Sequence, residues 1–149
     1  MWVLFVMLIL NGLFLFGREF WAGEAAFATF AAGLKYATRS LMLALPTFIF
    51  AGAVFDLATF FQRCEEGQAF TERNVKTLKS AGEALFWVVV VSALISPTVV
   101  AWIDGETRRF VWRINDLSFG VGAMGIGVFG VANVLSQAVR LQAENDEFV

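Results

Sequence analysis

The sequence predicts an all-α membrane protein with four transmembrane helices and a juxtamembrane amphipathic helix running into helix three. Three observations carry that prediction. Hydrophobic residues make up 58% of the chain and charged residues 16%, with a mean hydropathy of +0.70, which lies far from the composition of a soluble domain. The apolar residues fall in four long blocks rather than in one amphipathic stripe. Between the second and third blocks sits one polar segment, Gly67 to Leu78, unlike everything around it. At 149 residues, the chain has room for a single domain, residues 1–149, built as one small bundle with short connections.

The first span is expected over about residues 1–20. Its apolar run from Met1 to Phe16 is broken only by Asn11 and Gly12, and as a helix it would rise roughly 24 Å, short of a ~30 Å hydrocarbon core. Either the helix continues through Phe20 and Trp21 with Arg18 snorkelling, or the chain begins later than its relatives do. A cleaved signal peptide is the rival reading, disfavoured because no Lys or Arg precedes the run.

The second span is expected over 41–61, where Pro46 should kink the helix or mark an early turn. Before it, Phe27, Phe30, Leu34 and Ala37 recur at helical spacing with Lys35 and Arg39 set apart, which reads as an interfacial helix or the exposed first turns of span two. The third span, 84–103, is bracketed by Trp87 and Trp102, about 22 Å apart along a helix and suited to the two aromatic belts. Upstream of it, Thr71 is a plausible N-cap, and Val75, Leu78 and Leu85 continue the helical spacing. Ser96-Pro97-Thr98 should bend the far end of this span.

Asp104-Gly105 signals a turn, and the following loop carries Arg108, Arg109 and Arg113 among Phe110 and Trp112, a composition suited to lipid headgroups. Asp116 or Ser118 can cap the fourth span, 117–141, which ends in an acidic tail. Four spans place both termini on one side of the membrane. Charge does not orient them: Arg63, Arg73, Lys76, Lys79 and Arg140 on one side face six basic residues on the other.

The chain contains no histidine, which removes the commonest general base and the commonest haem and transition-metal ligand. No catalytic constellation is visible, so no enzyme activity, cofactor or metal is expected. Cys64 is the only cysteine and cannot form an internal disulfide. A net charge of −2 offers no basic field for direct nucleic-acid binding.

Gly120-Val121-Gly122-Ala123-Met124-Gly125 matches a dinucleotide fingerprint, but that motif needs a strand before it and a βαβ unit around it. Helix packing is the better reading, with Gly120, Ala123, Gly127 and Gly130 on one smooth face for a neighbouring helix of this chain or of another. Asp56 is the one acid inside an apolar span. Structural pairing, with Arg63 two turns further along the same face, is expected in preference to ion or proton transport. Asn11, Asn133 and Gln137 are expected to hydrogen-bond between helices.

The stretch Phe70-Thr71-Glu72-Arg73-Asn74-Val75-Lys76-Thr77-Leu78, followed by Gly82 and a span, resembles the signature loop of a small bacterial membrane family, domain of unknown function 2975. Leu141-Gln142-Ala143-Glu144-Asn145-Asp146 resembles the tail that closes that family after span four. The resemblance covers about residues 41–149. It implies four spans in the bacterial inner membrane with loop two and both termini cytoplasmic, and a membrane partner that sequesters or modulates a small helix-turn-helix regulator.

On this reading Phe70, Thr71, Asn74 and Leu78 dock the juxtamembrane helix against the bundle and the tail. Arg73, Lys76 and Lys79 offer a basic side, and Glu144, Asp146 and Glu147 an acidic tail, for pairing with each other or with a partner. The expected function is therefore a non-enzymatic membrane interaction or regulatory protein that binds a regulator through loop 62–83 and the tail. An accessory structural subunit of a larger membrane complex is the alternative, and a small transporter or channel the third. The bilayer is the expected partner throughout, and a homo-oligomer is compatible with each reading.

Overall fold

The computed structural model describes residues 2–21, 30–68, 70–106, 109–113 and 116–146. Within them the chain forms α1 (Trp2–Trp21), α2 (Phe30–Glu65), α3 (Glu72–Val90), a π-helical turn (Val91–Ile95), α4 (Ser96–Asp104) and α5 (Asp116–Asp146). Because α3, the π turn and α4 are continuous, there are four helical rods. Three stretches are long and apolar enough to cross a membrane: Phe30–Glu65, Glu72–Asp104 and Ser118–Gln142. The apolar part of α1, Trp2–Arg18, is shorter.

The juxtamembrane segment does run directly into span three. Residues from Phe30 onward form the first turns of α2, and the helix passes through Pro46 without interruption. Of the alanine-rich segment before it, residues 24–29 lie outside the described residues. With 36 residues, α2 is roughly 54 Å long, well beyond the ~30 Å core of a bilayer.

Two prolines dictate the contacts at one end of the rods. Proline has no N–H, so inside a helix it orphans the carbonyl four residues earlier, and in a bilayer no water replaces the missing donor. Pro46 orphans Met42 O, which accepts a hydrogen bond from the Ser96 hydroxyl at 2.7 Å. Pro97 orphans Ala93 O, which accepts from Arg113 N–H at 2.9 Å. The helix before Pro97 widens into the π turn, where Ser96 N–H reaches back to Val91 O. The expected bend at Ser96-Pro97-Thr98 thus takes the form of a π turn one step upstream, which gives the proline ring room.

The loop beyond α4 completes this node. Gly105 adopts φ +76°, and Glu106 N–H to Ala101 O at 3.1 Å closes the helix end in a Schellman arrangement. Residues 109–113 then run back along α4. Trp102 Nε1 donates to Arg109 O, and the buried Thr98 hydroxyl donates to Val111 O while accepting from Val111 N–H, both at 3.1 Å. From Trp102 to Ala93 is about 13 Å of helix rise. The segment therefore lies against α4 rather than only at its tip, and Arg109 O, Val111 N–H and O, and Arg113 N–H are met by protein. Arg39 Nε, 3.4 Å from Asp104 Oδ2, ties α2 to the end of α4.

The rods pack in chain order, α1 on α2, α2 on α3 and α3 on α5. Among the described residues α1 and α5 share no comparable interface, although Leu8 and Asn11 of α1 and Ser118 and Val121 of α5 line one cavity with residues of α2 and α3. Short connections make sequence neighbours into spatial neighbours. The seams use small residues for close approach. Ala44, Ala51 and Ala53 of α2 are fully buried, as is Ala81 of α3. A Cβ on Gly12 would meet the Phe48 ring at 3.0 Å, and one on Gly82 would meet Phe129 N at 3.1 Å.

The glycine face expected on α5, for a neighbouring helix of this chain or of another, is not the seam with α3. Gly120, Ala123, Gly127 and Gly130 are all exposed; the three glycines face open space, and Ala123 borders a groove with Val89, Val90 and Ala93. The seam with α3 is instead made by Gly125, whose Cβ position lies 3.1 Å from Leu85 Cβ, opposite Gly82. Helical spacing identifies a smooth face, but two glycines on opposing helices are what allow contact. Asn11, Asn133 and Gln137 are likewise exposed and form no interhelical hydrogen bond among the described residues.

Ser96→Ala should lower stability by about 1–3 kcal/mol in detergent unfolding, the cost of a buried unmet carbonyl. In a Pro46→Ala background, where the helix supplies its own N–H, the same change should cost less than about half as much; an undiminished cost would refute the pairing. Gly82→Val should destabilise by about 1–3 kcal/mol through overpacking, whereas Gly127→Ala, with open space around it, should stay within about 0.5 kcal/mol of the parent.

Candidate functional site

The α2–α3 connection is set by local chemistry at both ends. Gly67 takes φ +77°, and Gln68 N–H to Arg63 O at 2.8 Å with Gly67 N–H to Cys64 O at 3.1 Å closes α2. Thr71, in extended conformation, caps α3 by accepting from Asn74 N–H at 3.3 Å, and its hydroxyl donates to Gln68 O at 3.1 Å. One threonine thus joins the turn to the new helix.

Asn74 is fully buried between α2 and α3. Its Nδ2 donates to Phe60 O at 3.5 Å, a long bond, and to Cys64 Sγ at 3.4 Å, and its Oδ1 is buried without a partner. Leu78 packs with Phe60 and Ala132, flanked by Leu57, Cys64, Val128 and Leu135, so α2, α3 and α5 meet there. Arg63 Nη1 donates to Thr77 Oγ1 at 3.0 Å, a second bond across the hairpin.

Phe70 departs from its expected docking role, being 57% exposed. It precedes the cap residue Thr71, ahead of the first turn of α3. Arg73, Lys76 and Lys79 are exposed on α3. Lys76 and Lys79 line a groove of about 250 Å³ between α3 and α5 with Glu72, Val75, Ser136, Val139 and Arg140. Glu144 is exposed near the end of α5, the side chain of Asp146 is not described, and Glu147 lies outside the described residues. No ion pair links Glu144 to Arg73, Lys76 or Lys79 among the described residues.

Asp56 is half-buried on α2, beside Phe55, whose ring stacks edge-on with Trp2 at 5.4 Å. The expected pairing with Arg63 does not form. Seven residues separate them by about 10 Å along the helix, and Arg63 turns to Thr77 instead. Among the described residues, no group of three or more His, Cys, Asp or Glu side chains could hold a metal.

Two features escaped the sequence reading. The serine and threonine flanking Pro97 bond across the fold, and two in-span prolines beside hydroxyl residues were the signal that could have found this. The groove between α3 and α5 had no comparable signal, because it depends on how the two helices are staggered.

Three helices long and apolar enough to cross a bilayer, with a shorter apolar helix before them, define a multi-pass helical membrane protein. The family model described as protein of unknown function (DUF2975) matches residues 21–149, and the chain belongs to that family. The match begins ahead of residue 41, where the motif resemblance starts. No curated protein and no solved structure matches the chain.

Asn74→Ala should lower the unfolding midpoint in detergent, by about 1–3 kcal/mol for a buried polar group that loses its bonds. Thr71→Ala should cost about 1 kcal/mol as a lost N-cap. Unchanged stability in both variants would remove the hairpin-locking role.

Proposed function

We propose that this protein is a non-enzymatic membrane interaction or regulatory protein whose α2–α3 hairpin and C-terminal tail bind a cytoplasmic helix-turn-helix regulator. The observation that carries the reading is the locked polar hairpin: α2 and the α3–α4 rod, at 36 and 33 residues, exceed a ~30 Å core by about 20 Å each. Rods of that length extend beyond the bilayer, and the capped, Asn74-bearing hairpin forms one projecting end. It offers Arg73, Lys76 and Lys79 close to the acidic end of α5. A preformed surface costs less ordering on binding than a flexible loop.

In this reading α1 is a fourth, short span, accommodated by thinning or snorkelling at Arg18. Its first turn packs beside Phe55, toward the hairpin end of α2, as does the end of α5, where Val139 and Arg140 line a groove with Glu72. Both termini and the hairpin then face the cytoplasm of a bacterium from its inner membrane.

The outward Gly120, Ala123, Gly127 and Gly130 face favours a second reading, an accessory subunit of a larger membrane complex held along α5. Affinity purification in gentle detergent separates the two. A small helix-turn-helix protein should be retained at stoichiometric level and lost on deleting residues 144–149. Retention of a large integral complex, lost with Gly127→Leu and unaffected by the deletion, would replace the regulatory reading with the structural one.

A further inference from the structure

The α3–α5 seam carries a feature that the regulatory reading does not use. Its hairpin end is the groove lined by Lys76, Lys79, Ser136 and Arg140, with Glu72 at its rim. Further along the same seam lies a second groove of about 360 Å³, lined by Gly82, Glu83, Phe86, Trp87, Gly125, Ile126 and Phe129 and almost entirely apolar. Lys79 joins the two, its Nζ 5.5 Å from the centre of the Phe129 ring. The opposed Gly82 and Gly125 set the floor, since neither has a side chain to fill the seam.

We infer that this composite groove binds one anionic glycerophospholipid, with its phosphate among Lys76, Lys79 and Arg140 and an acyl chain along Phe86, Ile126 and Phe129. The order of the chemistry supports that occupant. Three cations sit at one end and aromatic and aliphatic side chains at the other, about 16 Å apart along α3 from Lys76 to Trp87, which matches the passage from headgroup to upper acyl chain. A basic pocket between helices at the membrane surface attracts anionic headgroups, and lysine stems lie along apolar surface while the ammonium reaches the phosphate. Glu72, at the hairpin end of the groove and so on the water side of the phosphate, is the acceptor near a glycerol headgroup's hydroxyl donors, which favours phosphatidylglycerol over lipids without them.

The inference narrows the regulatory reading without resting on it. It assigns Lys76 and Lys79 to lipid and leaves Arg73, which does not line the groove, to the docking surface. The test uses the full chain in a neutral maltoside detergent, with thermal unfolding followed by tryptophan fluorescence and bound lipid counted by native mass spectrometry.

Phosphatidylglycerol should raise the midpoint by several degrees and give a one-lipid adduct, while phosphatidylcholine and inorganic phosphate do neither. The combined Lys76→Gln, Lys79→Gln and Arg140→Gln variant should lose at least about tenfold in lipid affinity, as removal of three phosphate contacts requires. Arg73→Gln should retain the parent affinity. Ile126→Trp, which fills the apolar groove and keeps every charge, should also weaken binding and serves if the charge variant does not fold. Equal stabilisation by phosphatidylcholine, full stabilisation by phosphate alone, or equal losses from Arg73→Gln and the triple change would each overturn the site.

Discussion

Backbone hydrogen bonding inside an apolar medium is the constraint on which this structure depends. Two long helices each contain a proline, and each proline strips a carbonyl of its donor. Leaving either carbonyl unmet in hydrocarbon would cost several kcal/mol, so the fold supplies a donor to both. Ser96 serves Met42 O across the α2–α4 contact, and the loop backbone at Arg113 serves Ala93 O. Thr98 then fastens the same loop at Val111 through both of its hydrogen-bonding capacities. Three consecutive residues, Ser96-Pro97-Thr98, thereby fix the register of α2, α4 and the returning loop.

From that anchored end the rods run side by side toward the hairpin. Their seams are made by alanine and glycine, because lipid gives apolar helices no reason to associate beyond van der Waals contact, and contact needs close backbones. This explains why Gly12, Gly82 and Gly125 lie at interfaces while the longer glycine and alanine face of α5 remains outside. Each helix finds a good partner in its sequence neighbour, and the outer faces of α1 and α5 are left to lipid or to another chain.

At the opposite end the character of the contacts changes. Asn74, Thr77, Arg63 and the Thr71 cap make a polar lock around a small apolar cluster of Phe60, Leu78 and Ala132. A buried Asn with an unmet Oδ1 is a costly choice for stability alone. It does specify one relation between α2 and α3, and a fixed hairpin presents its charged residues in one arrangement. The lipid groove belongs to this end too, so bilayer composition and partner binding would act on adjacent faces of the same helix.

Much of this was legible in the chain itself. The apolar blocks, the polar segment between them, the Thr71 cap, the Gly105 turn and the passage of the juxtamembrane helix into span three all follow from local rules of periodicity and capping. The family resemblance rested on a short loop motif and a tail whose residues need no structure to read. What only the tertiary structure decided was pairing. Arg63 reaches Thr77 and not Asp56, Gly125 meets Gly82 while Gly127 meets nothing, and Ser96 answers a proline fifty residues away. Each of these depends on the stagger between neighbouring helices. Helical spacing fixes which residues share a face, but not which face meets a partner or at what height, because those are set by the sum of contacts along the whole seam.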